Sequence, residues 1–359
     1  MGDIQMYNFK VTSIIHDYEV HFIDSLKQSI DSVLMEGDYI IIDNIVKDLY
    51  DEYLQDALDT HKFIGIDANE KTKSYQGVES VIEELIQNGF RKNHRLVAIG
   101  GGITQDVTAF ISSIMYRGVN WIFYPTTMLA QGDSCIGSKT SINFGRFKNQ
   151  VGGFYPPSYI YIFPPFKDTL KEKEIRSGMG EMLHYFIVSG KEDFDFYRDT
   201  FKAAFTEKDA LSGIINKSLE IKKRYIEIDE FDKKERQVFN YGHTFGHAIE
   251  SLTQYRIPHG IAVSYGMDMS NFVSVKMGLI PSEVRDEIRE VTSYIWEGYP
   301  IDDIDIDTYI NALSKDKKNV GMQLGLILNK GYGNIFKNLT DSDKTFREWI
   351  EEYFLNELK

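Results

Sequence analysis

Leu96-Val-Ala-Ile-Gly-Gly-Gly-Ile-Thr-Gln-Asp106 is the stretch that decides the fold class. Four apolar residues fit a buried strand, three glycines end it, and the residues that follow fit the start of a helix. Glycines let the backbone approach a ligand without a Cβ, and amides at a helix start can receive a pyrophosphate. The spacing is not the G-x-G-x-x-G fingerprint, so a plain tight turn stays open beside dinucleotide binding. Its place directly after a strand favours the ligand, because open α/β sheets bind beyond the carboxyl ends of their strands.

Outward from that turn the same alternation repeats. Tyr39-Ile-Ile-Ile-Asp43, Phe63-Ile-Gly-Ile-Asp67 and Trp121-Ile-Phe-Tyr124 read as strands, and Val78, Ile82, Leu85 and Ile86 fall at helical spacing before Leu96. Such alternation implies βαβ units and a mostly parallel sheet. A further strand-like run, Tyr159-Ile-Tyr-Ile-Phe163, meets Pro164-Pro165, which cannot continue a ladder. An open α/β domain is therefore expected over residues 1–163 and a second domain over 164–359. The second reads as helical, with amphipathic stretches around 175–190, 208–230, 243–278 and 281–296. Its exception is Met322-Gln-Leu-Gly-Leu-Ile-Leu328 with the turn Asn329-Lys-Gly-Tyr-Gly333, which reads as a hairpin.

With 359 residues, 42% hydrophobic and 26% charged, the chain is long enough for two cores. The formal net charge of −14 opposes a nucleic-acid partner, yet basic side chains converging in one cleft can still take a small anion. A single cysteine, Cys135, excludes an intrachain disulfide and fits a reducing compartment. The first residues lack a basic stretch followed by an apolar core, and no apolar run reaches the roughly 18 residues that span a bilayer. A soluble cytoplasmic protein without a membrane partner is expected.

Chemistry concentrates in two further stretches. Tyr124-Pro-Thr-Thr127 through Asp133, Lys139 and Lys148-Asn149 is loop-rich and dense in hydroxyl, amide and ammonium groups. It reads either as a solvated surface loop or as a polar cleft wall whose lysines balance a phosphate or carboxylate. In Asn240-Tyr-Gly-His-Thr-Phe-Gly-His-Ala-Ile-Glu250, His243 and His247 share one face of a helix. His259 follows in Pro258-His-Gly260, and Glu181 sits in Gly178-Met-Gly-Glu181. Two imidazoles and a carboxylate with an open fourth position is the usual donor set of a catalytic zinc site, although single histidines are more often structural.

In this order the segments resemble the 3-dehydroquinate synthases and the wider sugar-phosphate cyclases, with glycerol dehydrogenases as more distant relatives. The blocks that carry the likeness lie at 100–106, 117–118, 125–139, 148–157, 180–181 and 236–260. The resemblance implies a Rossmann-like α/β N-terminal domain joined to an all-α C-terminal domain, using NAD and one divalent metal, zinc or in its place cobalt. Glu181, His243 and His259 match the metal ligands. Gly101, Gly102, Asp106, Thr126 and Thr127 match nucleotide contacts, with Asp43, Glu70, Lys73, Asp133 and Lys148 as weaker matches. Lys139, Lys222, Arg236, Asn240 and His247 match catalytic positions. Asp133, Asn149, His184 and one of Lys317 and Lys318 match positions around the substrate. Arg117 matches an arginine supplied by a partner subunit, which implies a homodimer.

The implied reaction, a step of the shikimate pathway, acts on a seven-carbon sugar acid phosphate. A secondary hydroxyl is oxidised, the resulting ketone acidifies the neighbouring C–H, phosphate leaves, the hydroxyl is restored, and an intramolecular aldol step closes the carbocycle. His247 is the natural proton handler at the phosphate end.

The chain departs from the family pattern in four places. His184 stands where a lysine is usual, which removes a fixed positive charge from the pocket and raises a specialised cyclase with another sugar phosphate as the alternative. Gln105 and Ser138 replace glycines, and Ile261 replaces a glutamate able to orient a metal ligand. Arg236 and Asn240 are retained, which favours a carboxylated substrate. The remaining rivals are a glycerol dehydrogenase-type oxidoreductase and a catalytically silent homologue.

Overall fold

Ile40, Ile41 and Ile42 are fully buried, as expected of a parallel strand covered on both faces, where apolar runs replace alternation. The computed structural model describes residues 4–301, 304–315, 319, 321 and 323–358. Its elements begin with β1 (Phe9–Val11), β2 (Tyr18–Phe22), α1 (Leu26–Val33), β3 (Tyr39–Asp43), α2 (Asn44–Leu49), α3 (Asp51–Thr60) and β4 (Lys62–Ile66). Next come α4 (Tyr75–Gln87), β5 (Leu96–Gly100), α5 (Gly102–Ile114), β6 (Trp121–Pro125), β7 (Lys139–Phe144), β8 (Phe147–Phe154) and β9 (Tyr159–Ile162).

Seven strands form one sheet in the order β1-β2-β9-β6-β5-β3-β4, parallel except for the pair β1–β2. From β3 the chain moves outward to β4, then returns across β3 to β5 and continues the other way to β6. The connections thus diverge between the paired strands β3 and β5, the kind of switch point where open α/β sheets bind ligands. Leu26, Ile30, Ile40, Ile42, Leu54, Val97, Ile99 and Tyr124 belong to the core on one face of the sheet.

After β9 come α6 (Glu172–Ser189), α7 (Lys191–Thr200), α8 (Lys208–Ile228), α9 (His243–Leu252), α10 (His259–Lys276), α11 (Ser282–Trp296) and α12 (Ile306–Ser314). The hairpin β10 (Gln323–Asn329) and β11 (Ile335–Asp341) and the helix α13 (Lys344–Glu352) follow, with a π-helical turn at Tyr353–Glu357. The C-terminal region is helical with one hairpin where the 322–328 run predicts it.

Two compact units emerge, Met1–Leu170 with Glu207–Phe231, and Lys171–Thr206 with Asp232–Lys359. The sequence reading places residues 207–231 in the second domain. In the structure α8 is bonded to the first unit instead: Ser218 Oγ donates to Gly132 O at 2.8 Å, Lys208 pairs with Asp24 at 2.8 Å, and Glu227 accepts from Thr12 N at 2.9 Å. An amphipathic pattern shows that one face is covered, not what covers it.

Two local readings also change. The stretch 243–278 is two helices, because Gln254 and Tyr255 take positive φ (52° and 61°) and Pro258 caps α10. The loop-rich stretch after Thr127 holds a π-helical turn, Ala130–Ser134, and the antiparallel hairpin β7–β8, whose second strand is largely exposed. Among the described residues, no helix is long and apolar enough to cross a membrane.

Candidate functional site

In the first unit, the carboxyl ends of β3, β5 and β6 gather the residues matched to a nucleotide. Asp43 ends β3 and caps α2 through Ile45 N at 2.9 Å. Burial lifts its carboxyl above the ordinary value, with Asp67 adding to the shift and the Ile45 amide opposing it. Gly101 caps α5 without a side chain, so the helix's first amides carry no side-chain cap. A Cβ on Gly101 would meet the Thr127 methyl at 2.7 Å, while one on Gly102 would point into open space. That cradle fits a dinucleotide phosphate at the helix start. Thr126 is buried, its amide bonded to Gly100 O at 3.0 Å, and Thr127 Oγ1 accepts from Ala130 N at 3.2 Å.

Four other matched residues are tied to one another. Lys73 pairs with Asp106 at 2.5 Å, and Asp106 also accepts from Ser141 N at 3.0 Å. Burial nonetheless raises the Asp106 carboxyl, outweighing Lys73. Lys148 pairs with Glu70 at 3.0 Å, and Glu70 accepts from Asn143 Nδ2 at 2.6 Å. Burial pushes the Glu70 carboxyl up, but Asn143 and Lys148 together hold it below the usual range. These contacts dock the β7–β8 hairpin on the 69–74 loop, and Lys148, whose stretch reads either as a solvated loop or as a ligand-balancing wall, pairs with Glu70.

Asp133, in the π-helical turn, faces α8: Lys222 Nζ lies 2.7 Å from its carboxylate and 2.6 Å from its carbonyl. Lys139 opens β7 with an exposed side chain. Asn149 has φ 55°, and its Oδ1 accepts from Ser141 Oγ at 3.2 Å. Arg117 is exposed beyond the other end of the 13-residue α5 from Gly102, about 20 Å away along the helix. Within one first unit, Arg117 therefore stays away from the edge that gathers Asp43 and Gly101.

Two departures acquire roles. Gln105 Nε2 donates to Ser134 O at 2.5 Å and its Oε1 accepts from Ser134 Oγ at 2.6 Å, bracing the turn that carries Asp133. Ser138 has φ 63°, where glycine is the easy residue, and its hydroxyl donates to buried Glu230 at 2.9 Å.

The second unit holds the metal candidates. Glu181 on α6, His243 opening α9 and His259 opening α10 present ligand atoms within 4.8 Å of one another. Small residues bring these helices together. A Cβ on Gly180 would lie 2.3 Å from Gly260 O, and one on Gly266 would lie 1.9 Å from Gly242 O. Backbones that touch at those points place the neighbouring Glu181, His259 and His243 on one pocket.

Glu181 Oε1 lies 3.2 Å from His243 Nε2, and Glu181 Oε2 lies 3.3 Å from His259 Nε2. Ligand atoms about 2.1 Å from a tetrahedral metal stand about 3.4 Å apart, and each histidine Nε2 lies near that distance from one Glu181 oxygen. The remaining nitrogens face acceptors too: His243 Nδ1 is 3.2 Å from Tyr241 O, and His259 Nδ1 is 3.1 Å from Glu250 Oε2. A neutral imidazole donates from one nitrogen alone, so these contacts need either protonated rings or, with each proton held at Nδ1, a metal ion between the Nε2 lone pairs and Glu181. Burial would lift the Glu181 carboxyl, yet His243 and His259 hold it well below its usual range. Burial opposes charge on His259, but Glu181 and Glu250 raise its pKa well above the imidazole value. The donor set fits a divalent metal.

Around that triad, His247 is exposed with its ring 5.6 Å from that of His259. Asn240 donates to Gln237 O at 3.1 Å, and Arg236 is buried in the turn Glu235–Asn240. His184, one turn beyond Glu181, is 1% exposed, with ring centroids 3.9 Å from Tyr185, 5.7 Å from Phe239 and 5.5 Å from His243. Lys317 and Lys318 lie outside the described residues. Glu250, which sequence reasoning passes over, touches His259 across the 253–258 turn, and a nine-residue separation that includes a turn has no periodic signature.

Family models match both parts of the chain. Residues 63–177 match the family model for the 3-dehydroquinate synthase N-terminal region, and residues 178–319 match the C-terminal one. A 3-dehydroquinate synthase of Syntrophotalea carbinolica is 34% identical over 323 residues, covering 88% of this chain and 89% of that protein. Among solved structures, a 2-deoxy-scyllo-inosose synthase complexed with carbaglucose-6-phosphate, NAD+ and Co2+ has the same fold. It gives a TM-score of 0.86 at 24% identity, covering 97% of this chain and 99% of that one. The 2-epi-5-epi-valiolone synthase of Streptomyces hygroscopicus subsp. jinggangensis, with NAD+ and Zn2+ bound, gives a TM-score of 0.82 at 24% identity, covering 97% and 98%.

Proposed function

The chain belongs to the 3-dehydroquinate synthase family, and from that membership we propose that it is a sugar-phosphate cyclase. Its substrate in this reading is a seven-carbon sugar acid phosphate, which it converts to a carbocycle with release of inorganic phosphate. When bound, NAD accepts and returns a hydride, and a divalent metal, zinc or cobalt as in the structural relatives, polarises the hydroxyl concerned.

The observation that carries the reading is the meeting of Glu181 with His243 and His259, the four ring nitrogens of the two histidines all facing oxygen acceptors. Those three residues hold the metal. Asp43, Gly101, Gly102, Asp106, Thr126 and Thr127 take NAD at the β3–β5 switch point, where the open cradle at Gly102 supports a phosphate site. Glu70, Lys73 and Lys148 shape that edge, Glu70 through Asn143 and Lys148 and Lys73 through Asp106.

Lys139, Lys222 and Arg236 bind the substrate's anionic groups and balance the charge of the departing phosphate, Asn240 adds an amide hydrogen bond, and Asp133 and Asn149 orient hydroxyls. His247, exposed beside His259, moves the proton at the phosphate end. Arg117 serves the site of a second subunit, a reading supported by its distance along α5 from Gly102. The enzyme is then a homodimer in which each chain completes the other's pocket.

Incubation with NAD and substrate tests the reading. A cyclase releases phosphate in proportion to product while NADH stays at trace level. Steady NADH growth would replace it with a glycerol dehydrogenase-type oxidoreductase, and a protein without metal or turnover would be a silent homologue.

One observation favours a second reading of the substrate. His184 replaces a long cation with a buried ring packed on Tyr185 and Phe239, so this wall of the second unit lacks the family's fixed charge. A specialised cyclase acting on a different sugar phosphate would fit that wall. Phosphate release across C7 sugar acid phosphates and neutral sugar phosphates separates the two.

A further inference from the structure

The two ring nitrogens of His259 are committed to different carboxylates: Nε2 lies 3.3 Å from Glu181 Oε2, and Nδ1 lies 3.1 Å from Glu250 Oε2. Glu250 is in the last turn of α9, and its side chain is 16% exposed. The 253–258 turn folds α10 back so that His259 comes to it, held by Tyr255 N donating to Glu250 O at 2.8 Å.

We infer that Glu250 is a positioning residue for the metal centre, accepting the Nδ1–H of His259 and so turning the Nε2 lone pair toward Glu181 and His243. The inference rests on the metal reading of the Glu181–His243–His259 group given above. A neutral imidazole has one N–H and one lone pair, and only the lone pair can bind a metal. A carboxylate at Nδ1 keeps the proton there, fixes the ring's rotation and makes Nε2 more basic.

His243 receives the same treatment from the backbone. Tyr241 O faces its Nδ1 at 3.2 Å, and a carbonyl can only accept, so the proton is held at Nδ1 and Nε2 faces Glu181. Both histidines of the group thus have the non-ligating nitrogen engaged, one by the backbone and one by a side chain. Ile261, where the family's glutamate is expected, is fully buried, and Glu250 from the neighbouring helix supplies a carboxylate at His259.

The same geometry offers a competing assignment. His247, Glu250 and His259 also bring ligand atoms within 4.8 Å, which would make Glu250 a ligand of a displaced metal. The buried Glu181, whose two oxygens each face one histidine Nε2 at 3.2 and 3.3 Å, favours the positioning role.

Zinc affinity of the metal-stripped full chain, read by competition with a chromophoric chelator, tests the proposal in Glu250→Gln, Glu250→Ala and Glu181→Gln. Glu250→Ala is expected to weaken zinc binding about 10- to 100-fold while saturating at the same one metal per chain. Glu250→Gln keeps an oxygen acceptor and the side-chain shape, so it should lose less than the alanine variant and guards against a folding defect. Parental affinity in both Glu250 variants overturns the proposal. So does loss of stoichiometric zinc in Glu250→Ala with retention in Glu181→Gln, which would make Glu250 a ligand. If the unsubstituted chain itself binds no zinc, the metal reading falls and the positioning role with it, an outcome distinct from a tight parent with unaffected variants.

Discussion

Gly260 and Ser177 meet backbone to backbone, and a Cβ on Gly260 would stand 1.7 Å from Ser177 O. The contact sits one residue from His259 and four from Glu181, so the crossing of α6 and α10 sets the spacing of two metal-ligand candidates. Gly260→Ala must push the helices apart. Overpacking of this kind costs about 3 kcal/mol, and the ligand spacing widens with it. A lowered urea midpoint together with weakened zinc binding is expected, and a variant that keeps both parental values would show the crossing to be slack.

Asp268 is fully buried in α10 and accepts from Arg285 at 3.0 Å, Arg289 at 2.6 Å and Tyr353 at 2.8 Å. Replacing it by alanine leaves two arginines facing a hole, and breaking such a network costs about 3–5 kcal/mol. Asp268→Ala should melt earlier and expose the C-terminal turn around Tyr353 to limited proteolysis. A parental cleavage pattern in the folded variant would contradict that role.

Lys222 and Asp133 form a nearly buried pair, with side chains 6% and 17% exposed. Either single change strands a charge, whereas removing both leaves none. Lys222→Met and Asp133→Ala should each destabilise by a few kcal/mol, with the double variant more stable than the sum of the two losses implies. Strict additivity in denaturant titrations would mean the pair is not coupled.

In the proposed nucleotide site, the Asp43 carboxyl, lifted by burial, acts as an ionised acceptor of hydrogen bonds from NAD hydroxyls. Protonation removes that acceptor, so affinity is full above the raised pKa and falls as pH drops through it. The fall therefore begins above the ordinary aspartate value of about 3.9. Titrating NAD by intrinsic fluorescence from pH 7 downward should show the loss, and Asp43→Asn should bind roughly tenfold more weakly with the acid-side fall reduced. A parental profile as flat as that of Asp43→Asn would remove Asp43 from the nucleotide site.

How far these features can be read from the sequence depends on whether the cause is local. Runs such as Tyr39–Asp43 and Leu96–Gly100 are legible because a strand covered on both faces needs continuous apolar residues. Tyr18–Phe22 carries an alternating burial pattern that was there to be read, whereas Phe9–Val11 is too short to show a period. The β7–β8 hairpin passes for loop because β8 is exposed and glycine-containing. Glu181, His243, His247 and His259 are legible by residue type as metal candidates, whereas the choice of His243 over His247 beside Glu181 comes from the resemblance. The glycines that let their helices touch, and Glu250 behind His259, are not legible, since both depend on where separate helices cross.

The return of α8 to the first unit has a consequence for how the protein is made. The chain leaves that unit after residue 170 and re-enters it for 207–231, so neither unit is one continuous stretch. A ribosome that has delivered the whole sheet has not yet delivered the partner of Asp133, and the first unit cannot mature until residue 231 has emerged. A truncation near the Pro164-Pro165 step would yield a sheet with an orphaned acid rather than a free-standing nucleotide module.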